Sequence, residues 1–597
     1  MKLNRILLFI TPILLLVGCG QTEENTPTFQ KWHKVELSFS GPESSEQAEL
    51  NPFTDYRLVV TFTNGSQTIQ IPGFYAADGN AAETSAEAGN IWKVRFSPNA
   101  LGEWSYSASF RQGKNIVIST DPAAGEATAF DGKSGKFNVI TSDKGERDLR
   151  SKGLLSYVGE RYLKFEESGE YYLKGGADSP ENFLATEDFD GTYSHNPKKS
   201  YVKKWEAHLQ DWNEGDPTWQ NGKGKGIIGA LNYLAGKGMN VVYMLTMNID
   251  GDSKDVWPYT SHTERFRFDC SKLDQWEMVF THMDSLGLMM HLVLQETENE
   301  MILDSGYTDI ERKTYIRELV ARFAHHPAIT WNIGEENGPA NFTPYGQNTQ
   351  QQKDMIQYIK ETDPYQHFTV VHTHASRKFR YHGMEPLLGF EYLDGPSMQL
   401  GRTKNVHSET IAWLEKSKNA GKQWVVFQDE IGNANSGVVP DVDDVGHDSV
   451  RYEALWGNLM AGGGGAEWYF GYKFAHADLN CEDWRTRDDM WDQTRYALEF
   501  FHQNLPFWEM ETADGLVDAE GAYCFAKEGE IYAVYLNGTG STNIQLAEGK
   551  YTIKWFDPKN GGALQTGSMT ETEGGTVSIG NPPSSPENDW VVLLKKA

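Results

Sequence analysis

The chain has 597 residues, with 54 Lys or Arg against 83 Asp or Glu, so its formal net charge is −29. This length exceeds what a single hydrophobic core usually supports, so two to four domains are expected. The acidic balance argues against nucleic acids and anionic membranes as general partners, because both are bound by clustered positive charge.

Residues 1–18 are predicted to be a targeting segment. Lys2 and Arg5 precede an apolar run over 6–17 that is too short to cross a bilayer comfortably, as in a signal peptide. The run ends in Leu16-Val17-Gly18-Cys19, which resembles a bacterial lipoprotein box. That resemblance implies lipidation of Cys19, a polar tether over 19–28, and a place in the cell envelope with the lipid as the only membrane contact. An ordinary secretory signal is the alternative.

Residues 29–142 are predicted to form a β-sandwich. Alternating or β-branched runs at 35–39, 56–62, 91–96 and 103–110 are separated by Gly, Pro, Asn and Asp turns. The segments 74–75, 92–98 and 102–106 resemble an N-terminal domain of unknown function that often precedes glycosidase-like barrels. Sugar binding and simple packing as a spacer are both open for this domain.

Residues 153–510 are predicted to form a (β/α)8 barrel. Strand-like runs alternate here with helical ones, which is typical of parallel β/α units. Such barrels carry their active site at the carboxyl ends of the strands. The eight predicted strands are 171–174, 241–247, 289–295, 329–334, 368–373, 388–393, 424–428 and 466–470.

Residues 511–597 return to short strands with Asn-Gly turns, which predicts a second β-sandwich. The segments 555–558 and 589–594 resemble a C-terminal module of the collagen-binding type. Collagen binding does not follow, because a fold match does not carry a ligand with it.

Two predicted strands end in carboxylates. In the fourth strand, alternation puts Ile329, Trp331 and Ile333 on the outer side and aims Glu336 into the barrel mouth, with Glu335 beside it. In the seventh strand, the same alternation puts Gln428 and Glu430 on the inner side.

Two inward carboxylates on separate strand ends are what retaining glycoside hydrolysis requires, since one protonates the leaving oxygen and the other attacks the anomeric carbon. A helix cap or a salt bridge would explain either carboxylate alone. The pair points to Glu336 and Glu430 as catalytic residues.

The barrel resembles clan A glycoside hydrolases. The run 331–336, Trp-Asn-Ile-Gly-Glu-Glu, is similar to the clan's W-x-x-G-N-E, and 429–432, Asp-Glu-Ile-Gly, is similar to its T-E-x-G. The resemblance implies that Glu336 is the acid/base and Glu430 the nucleophile. The three-part layout also resembles apiosidase-like barrel proteins with flanking β-sandwiches.

Glu335 departs from the clan pattern, which has Asn before the acid/base in contact with the sugar 2-hydroxyl. Glu335 is expected to recognise that position differently, to raise the pKa of Glu336 as a neighbouring like charge, or to act only as a structural cap.

Other strand ends supply candidate substrate-binding residues. His372 and His374 share one side of the fifth strand; metal ligation by them is the alternative to sugar binding, but no Cys or HExxH pattern supports it. Trp468 is either part of an aromatic cleft floor or packed between barrel and helix. No metal or other cofactor is predicted. The candidates are Asp178, Asn248, Glu296, Glu335, His372, His374, Gln428, Trp468 and Tyr469.

Together these features predict a lipid-anchored retaining glycoside hydrolase that acts on a complex plant or algal polysaccharide or its oligosaccharides. A surface glycan-binding lipoprotein with an inactive barrel is the alternative, and it would be expected to lack one of the two carboxylates. An adhesin for extracellular matrix is a third possibility, based only on the C-terminal module. The sequence does not specify the sugar, the linkage or the oligomeric state.

Overall fold

The computed structural model describes residues 26–65, 67–145 and 147–597. The predicted signal peptide, Cys19 and most of the tether therefore lie outside the described residues. A closed parallel barrel stands between an N-terminal pair of sheets and a C-terminal antiparallel sheet, which confirms the predicted fold class. Within the described ranges, no helix combines the length and apolar character needed to cross a bilayer.

The N-terminal domain is a two-sheet structure whose strands bury alternate side chains. Leu58, Val60 and Phe62 are buried along one strand, and Phe62 stacks on Phe96 with ring centroids 4.2 Å apart. One sheet has the order β1-β9-β7-β3-β4 with β8 beside β7, and the other has the order β2-β6-β5. The strands are β1 (Thr28–Gln30), β2 (Val35–Ser45), β3 (Tyr56–Asn64), β4 (Gln67–Pro72), β5 (Phe74–Tyr75), β6 (Ala88–Phe96), β7 (Gly102–Gln112), β8 (Glu126–Ala127) and β9 (Ser134–Ile140), with a short helix α1 (Ala81–Thr84).

A short helix, α2 (Leu149–Lys152), and a hairpin close the amino-terminal end of the barrel. The hairpin strands are β10 (Leu155–Tyr157) and β11 (Leu163–Phe165). Their apolar side chains join a cluster with Val241, Met289 and Phe427 from the barrel. This end of the barrel is therefore filled with apolar side chains.

Eight parallel strands close the barrel in sequence order, each paired with its neighbours. They are β12 (Lys174–Ala177), β13 (Val241–Leu245), β14 (Met289–Val293), β15 (Ile329–Asn332), β16 (Phe368–His372), β17 (Gly395–Leu400), β18 (Phe427–Ile431) and β19 (Gly465–Trp468). The outer layer contains α3 (Lys225–Gly236), α4 (Cys270–Leu286), α5 (Ile310–Phe323), α6 (Thr349–Thr362), α7 (Arg377–Met384), α8 (Val406–Asn419), α9 (Gly457–Met460) and α10 (Asp488–Asn504).

Three predicted barrel strands differ from the structure. The sixth was wrong, since 388–393 form turns and the strand is β17. Its sequence, Gly-Pro-Ser-Met-Gln-Leu, lacks the β-branched and aromatic residues that are enriched in strands, whereas 388–393 contains Phe390 and Tyr392. The first and seventh strands begin three residues later than predicted. In β12 the reason is the pair Gly175-Gly176, which is weak in a strand pattern.

The N-terminal domain is fixed to α4 and α5 by buried charges. The Arg95 side chain on β6 is 3% exposed and lies between Glu36 (2.9 Å), Asp274 (3.0 Å) and Glu277 (3.2 Å). The cations Arg95 and Lys34 hold the pKa of Glu277 well below its usual range, in spite of its burial.

Replacing Arg95 with alanine should lower the free energy of unfolding by about 3–5 kcal/mol, because it leaves buried carboxylates without their cation. Thermal and denaturant unfolding measure the effect. Arg495→Ala is the matched control, since its pair with Glu499 is exposed and should contribute less than about 1 kcal/mol. Equal losses in the two variants would contradict the structural role of Arg95.

The C-terminal domain is one antiparallel sheet with apolar residues on both faces. Its order is β20-β21-β22-β25-β23-β24. One face, which includes Phe525 and Tyr535, packs with Trp456 and Phe501 of the barrel layer. The other face forms a separate core around Trp555. The strands are β20 (Glu511–Thr512), β21 (Tyr523–Lys527), β22 (Ile531–Asn537), β23 (Asn543–Phe556), β24 (Glu571–Ser578) and β25 (Asp589–Lys596).

Candidate active site

A cleft of about 280 Å³ opens at the carboxyl ends of the barrel strands. This is the end at which barrel enzymes bind their substrates. It is lined by Glu181, Asp252, Glu296, Thr297, Glu298, Glu335, Glu336, Phe342, Gln399, Glu430, Ala434, Tyr469 and Tyr472.

Glu336 enters the cleft through a turn after β15. As predicted, Ile329 and Trp331 face the outer core, whereas Asn332 faces the interior and donates to His291 Nε2 at 3.0 Å. Glu336 itself has φ +37°, a left-handed conformation that costs non-glycine residues energy and often marks functional positions. Its backbone N–H donates to His372 Nδ1 at 2.9 Å, which fixes the turn.

Glu430 enters the cleft because β18 contains a bulge. Phe427 and Asp429 face the barrel interior, and Val426 faces the outer core. Strict alternation would therefore turn Glu430 outward. The pairing with β17 skips Asp429, so that Met398 opposes Gln428 and Gln399 opposes Glu430. This extra residue turns Glu430 into the cleft beside Gln399, in the way that bulges redirect side chains near active sites.

Two neutral histidines face the two carboxyls, one with its protonated ring nitrogen and the other with its unprotonated ring nitrogen. His372 Nδ1 accepts the Glu336 N–H, so its proton sits on Nε2, which is 3.6 Å from Glu430 Oε2. His374 Nε2 donates to the Gly338 carbonyl at 3.0 Å, so its Nδ1 is an acceptor, 4.0 Å from Glu336 Oε2. Burial lowers the pKa of both rings, which keeps them neutral.

The cleft raises the pKa of both predicted catalytic carboxyls. Burial, together with the charge of Glu298, raises the pKa of Glu336 to about 7. Burial and the Glu336 charge raise the pKa of Glu430 well above its usual range. The Gln399 side chain lines the cleft with both carboxyls, and its amide favours their charged forms.

Glu335 lines the cleft beside Glu336. Its N–H donates to the Gln295 carbonyl, and its Oε2 is buried without a hydrogen-bond partner. Burial and the charges of Glu296, Glu430 and Glu336 raise its pKa well above the usual range.

Five other predicted residues lie in or directly below the cleft. Glu296 and Tyr469 line it. His372 and His374 lie against the two carboxyls as described. Asp178 is buried beneath the cleft, within 4.8 Å of oxygens of Glu181 and Glu430.

Three predicted residues do not face the cleft. Asn248 is fully buried, and its side chain accepts from the N–H groups of Asp255 and Val256, so it orders its own loop. Gln428 donates to the carbonyls of Met398 and Glu430, which stabilises the bulge. Trp468 points outward and donates to Thr494 on α10, so the packing alternative holds.

The sequence prediction missed several residues of the cleft. Gln399 was missed because the sixth strand was misplaced. Glu181 lies shortly after the end of β12 and would have been a candidate if that strand had been placed correctly. Phe342 and Tyr472 come from loops, where no periodic pattern indicates a direction; both line the cleft and are 60% and 44% exposed.

A layer of paired polar groups lies in the barrel below the cleft. Lys174 Nζ is 2.8 Å from Asp429 Oδ1 and 3.2 Å from Glu467 Oε2. His291 Nδ1 lies 2.8 Å from the same Glu467 oxygen, and its Nε2 accepts from Asn332. The five side chains form one connected network across the barrel.

Among the described residues, three groups bring together enough ligand atoms for a metal ion. Glu277, His325 and His326 are already paired with Arg95 and Lys34, and His291, Asp429 and Glu467 with Lys174. Asp178, Glu181 and Glu430 have no cation beside them. His372 and His374 belong to none of these groups.

Two parts of the chain match known domain families. Residues 28–111 match the "Domain of unknown function (DUF5060)", and residues 514–595 match the "Putative collagen-binding domain of a collagenase". Both resemblances of the flanking domains are thereby confirmed. A search of curated proteins by sequence found no match.

The whole architecture is similar to solved structures of proteins described as glycoside hydrolases. A "putative glycoside hydrolase" from Bacteroides vulgatus ATCC 8482 has a TM-score of 0.64 and 17% identity, with 96% of this chain and 100% of that chain covered. A glycoside hydrolase family 5 protein from the same organism has a TM-score of 0.53 and 15% identity, with 76% and 96% covered. At such identities the similarity establishes a shared fold and does not transfer chemistry.

Proposed function

We propose that this protein is a retaining glycoside hydrolase in which Glu336 is the acid/base and Glu430 the nucleophile. The observation that carries the proposal is the arrangement of the two histidines. The N–H of His372 faces Glu430 and favours a charged carboxylate, whereas the acceptor nitrogen of His374 faces Glu336 and favours a protonated carboxyl. These are the two protonation states that double displacement requires at its first step.

In the proposed mechanism, Glu336 donates its proton to the leaving oxygen while Glu430 attacks the anomeric carbon and forms a glycosyl-enzyme ester. Glu336, now charged, takes a proton from water, which then hydrolyses the ester. Gln399 contacts both carboxyls and orients them. The exposed rings of Phe342 and Tyr472 offer apolar faces on which a sugar ring can stack.

The proposed substrate is a complex plant or algal polysaccharide or an oligosaccharide derived from it. Purified protein incubated with a polysaccharide panel, with reducing ends quantified, tests for hydrolysis. NMR of the first-formed product should show a retained anomeric configuration. Release of the inverted anomer would refute double displacement, and no release from any polysaccharide would refute the proposed activity.

We also propose a lipid anchor at Cys19. Cys19→Ser should move the protein from the membrane fraction to the soluble fraction with unchanged specific activity, because the tether lies far along the chain from the barrel residues. Fractionation followed by a salt wash measures this. A variant that stays with the membrane would argue against lipidation.

Activity should fall on the alkaline side as Glu336 loses its proton near pH 7. Because a like charge raises a carboxyl pKa, Glu298→Gln should lower the pKa of Glu336 and move the alkaline limb of kcat/KM to lower pH, by up to about one unit. Glu335→Gln should move it less, because Glu298 is the carboxyl whose charge contributes most to the raised pKa of Glu336. A larger shift for Glu335→Gln than for Glu298→Gln would show that Glu335, and not Glu298, is the main charge that raises the pKa of Glu336.

A further inference from the structure

The cleft is lined by far more acid than hydrolysis needs. Seven of its 13 lining residues carry a carboxyl group, and no described lining residue is Lys, Arg or His. Double displacement uses two carboxyls. Of the other five, Asp252 and Glu298 are exposed to solvent. A ligand-binding role is therefore available for the three that are shielded from solvent, Glu181, Glu296 and Glu335.

Acids in and below the cleft have buried carboxylate oxygens without a hydrogen-bond partner among the described residues. Glu296 is 4% exposed; its Oε1 accepts the Asp252 N–H at 2.8 Å, and its Oε2 has no hydrogen bond. Glu335 Oε2 is likewise buried and unpaired. Below them, Asp178 is 1% exposed and neither of its oxygens has a partner. Unpaired buried acceptors are costly, so their survival at a cleft indicates that a ligand pairs with them.

The barrel provides its own comparison for this arrangement. In the layer below, the buried Asp429 and Glu467 have Lys174 between them. Buried carboxylates that serve the structure of this barrel layer are thus paired with a lysine. Among the described residues that line the cleft, no lysine or arginine pairs with the carboxyl groups.

The charge also excludes classes of ligand. Burial and mutual repulsion raise the pKa of Glu181, Glu296 and Glu335 well above the usual range. An anionic sugar would add to this repulsion, whereas a cation would relieve it and allow the carboxyls to ionise.

We propose that the cleft binds a sugar that carries a protonated amine, and that Glu296 and Glu335 receive its ammonium group. This inference rests on the proposed glycosidase function and specifies its substrate class. An ammonium group has three N–H donors, which match carboxylate oxygens that have no other partner. A hydroxyl or an acetamide has no charge and cannot replace it.

The test compares oligosaccharides of one linkage and configuration that differ only in one substituent: amine, acetamide or hydroxyl. Glucosamine, N-acetylglucosamine and glucose oligomers provide such a series, and a second linkage guards against a poor choice of bond. We expect kcat/KM for the amine series to exceed that for the other two by at least tenfold. Calorimetric titration of the same three series measures binding without turnover.

Glu296→Gln keeps the shape of the side chain and removes its charge. The ratio of kcat/KM for amine over hydroxyl substrates should then fall by about tenfold. Asp252→Asn is the matched control, because Asp252 lines the same cleft but is exposed to solvent, which screens its charge. The charge of Asp252 also raises the pKa of Glu336. Its removal changes kcat/KM for both substrates equally, so this effect cancels in the ratio.

Each outcome separates this inference from the proposed function. Hydrolysis of neutral oligomers as fast as amine oligomers would overturn the inference and keep the glycosidase. Selective binding of amine oligomers without any hydrolysis would keep the inference and refute the glycosidase. Activity that EDTA abolishes and Ca²⁺ restores would overturn the inference by assigning the carboxyls to a metal ion.

Discussion

Replacing Glu430 with alanine should lower kcat on the natural polysaccharide by about 10⁴-fold or more, because it removes the proposed nucleophile that forms the glycosyl-enzyme ester. Azide should restore turnover of an activated aryl glycoside. The small anion fits the space of the lost carboxylate and attacks from the same face, so the product is a glycosyl azide of inverted configuration.

The azide experiment also controls for folding, because a misfolded variant cannot be rescued. NMR identifies the configuration of the azide product, and thermal unfolding checks that removal of one carboxyl from the acidic cleft leaves the variant stable. Near wild-type turnover of polysaccharide by Glu430→Ala would remove Glu430 from the mechanism. Rescue with retained configuration would reassign it as the acid/base.

Replacing Glu336 with alanine should have an effect that depends on the leaving group. For poor leaving groups, kcat/KM should fall by about 10²–10⁴-fold, because the departing oxygen needs the proton that Glu336 supplies. For activated aryl glycosides, which leave without protonation, the loss in kcat/KM should be less than about tenfold.

A series of aryl glycosides with leaving groups of graded pKa measures this dependence. Wild-type kcat/KM should vary little along the series, whereas that of the variant should fall steeply as the leaving-group pKa rises. The bell-shaped pH profile should also lose its alkaline limb. An equal loss for every leaving group would show that Glu336 binds the substrate and does not protonate it.

The domain architecture could be predicted from the sequence because the spacing of apolar residues differs between sheets and β/α units. Alternating runs predicted the flanking sheets, and β/α alternation predicted the barrel. Strands were misplaced where composition opposes strand formation, as in the Gly-Gly of β12 and the Gly-Pro start of β17. In both places barrel closure imposes the strand conformation on a weak local pattern.

Glu430 lies in the cleft as predicted, although the alternation from which its direction was predicted does not hold along β18. Alternation predicted the direction of Asn332 on β15 correctly. On β18 it predicted that Gln428 and Glu430 face inward together, yet only Glu430 does, because the bulge at Asp429 breaks the alternation. A bulge depends on the pairing of two strands, so no single-strand pattern reveals it. Trp468 was predicted as a substrate-binding residue but points outward. An aromatic residue at a strand end can face the barrel interior or the outer helices, and its own sequence does not show which.

The polar layer beneath the cleft affects how the substrate specificity of such a protein can evolve. Asn332, His291, Glu467, Lys174 and Asp429 join the strand that carries Glu336 to the strand that carries Glu430. The positions of the two carboxyl-bearing strands are thereby set inside the barrel and do not depend on the loops that contact the ligand. Phe342, Tyr472 and the acidic loop residues can therefore be exchanged by mutation without separating the reacting pair. New specificities are accessible to this scaffold by loop replacement, whereas mutation of the buried layer would remove the old and the new activity together.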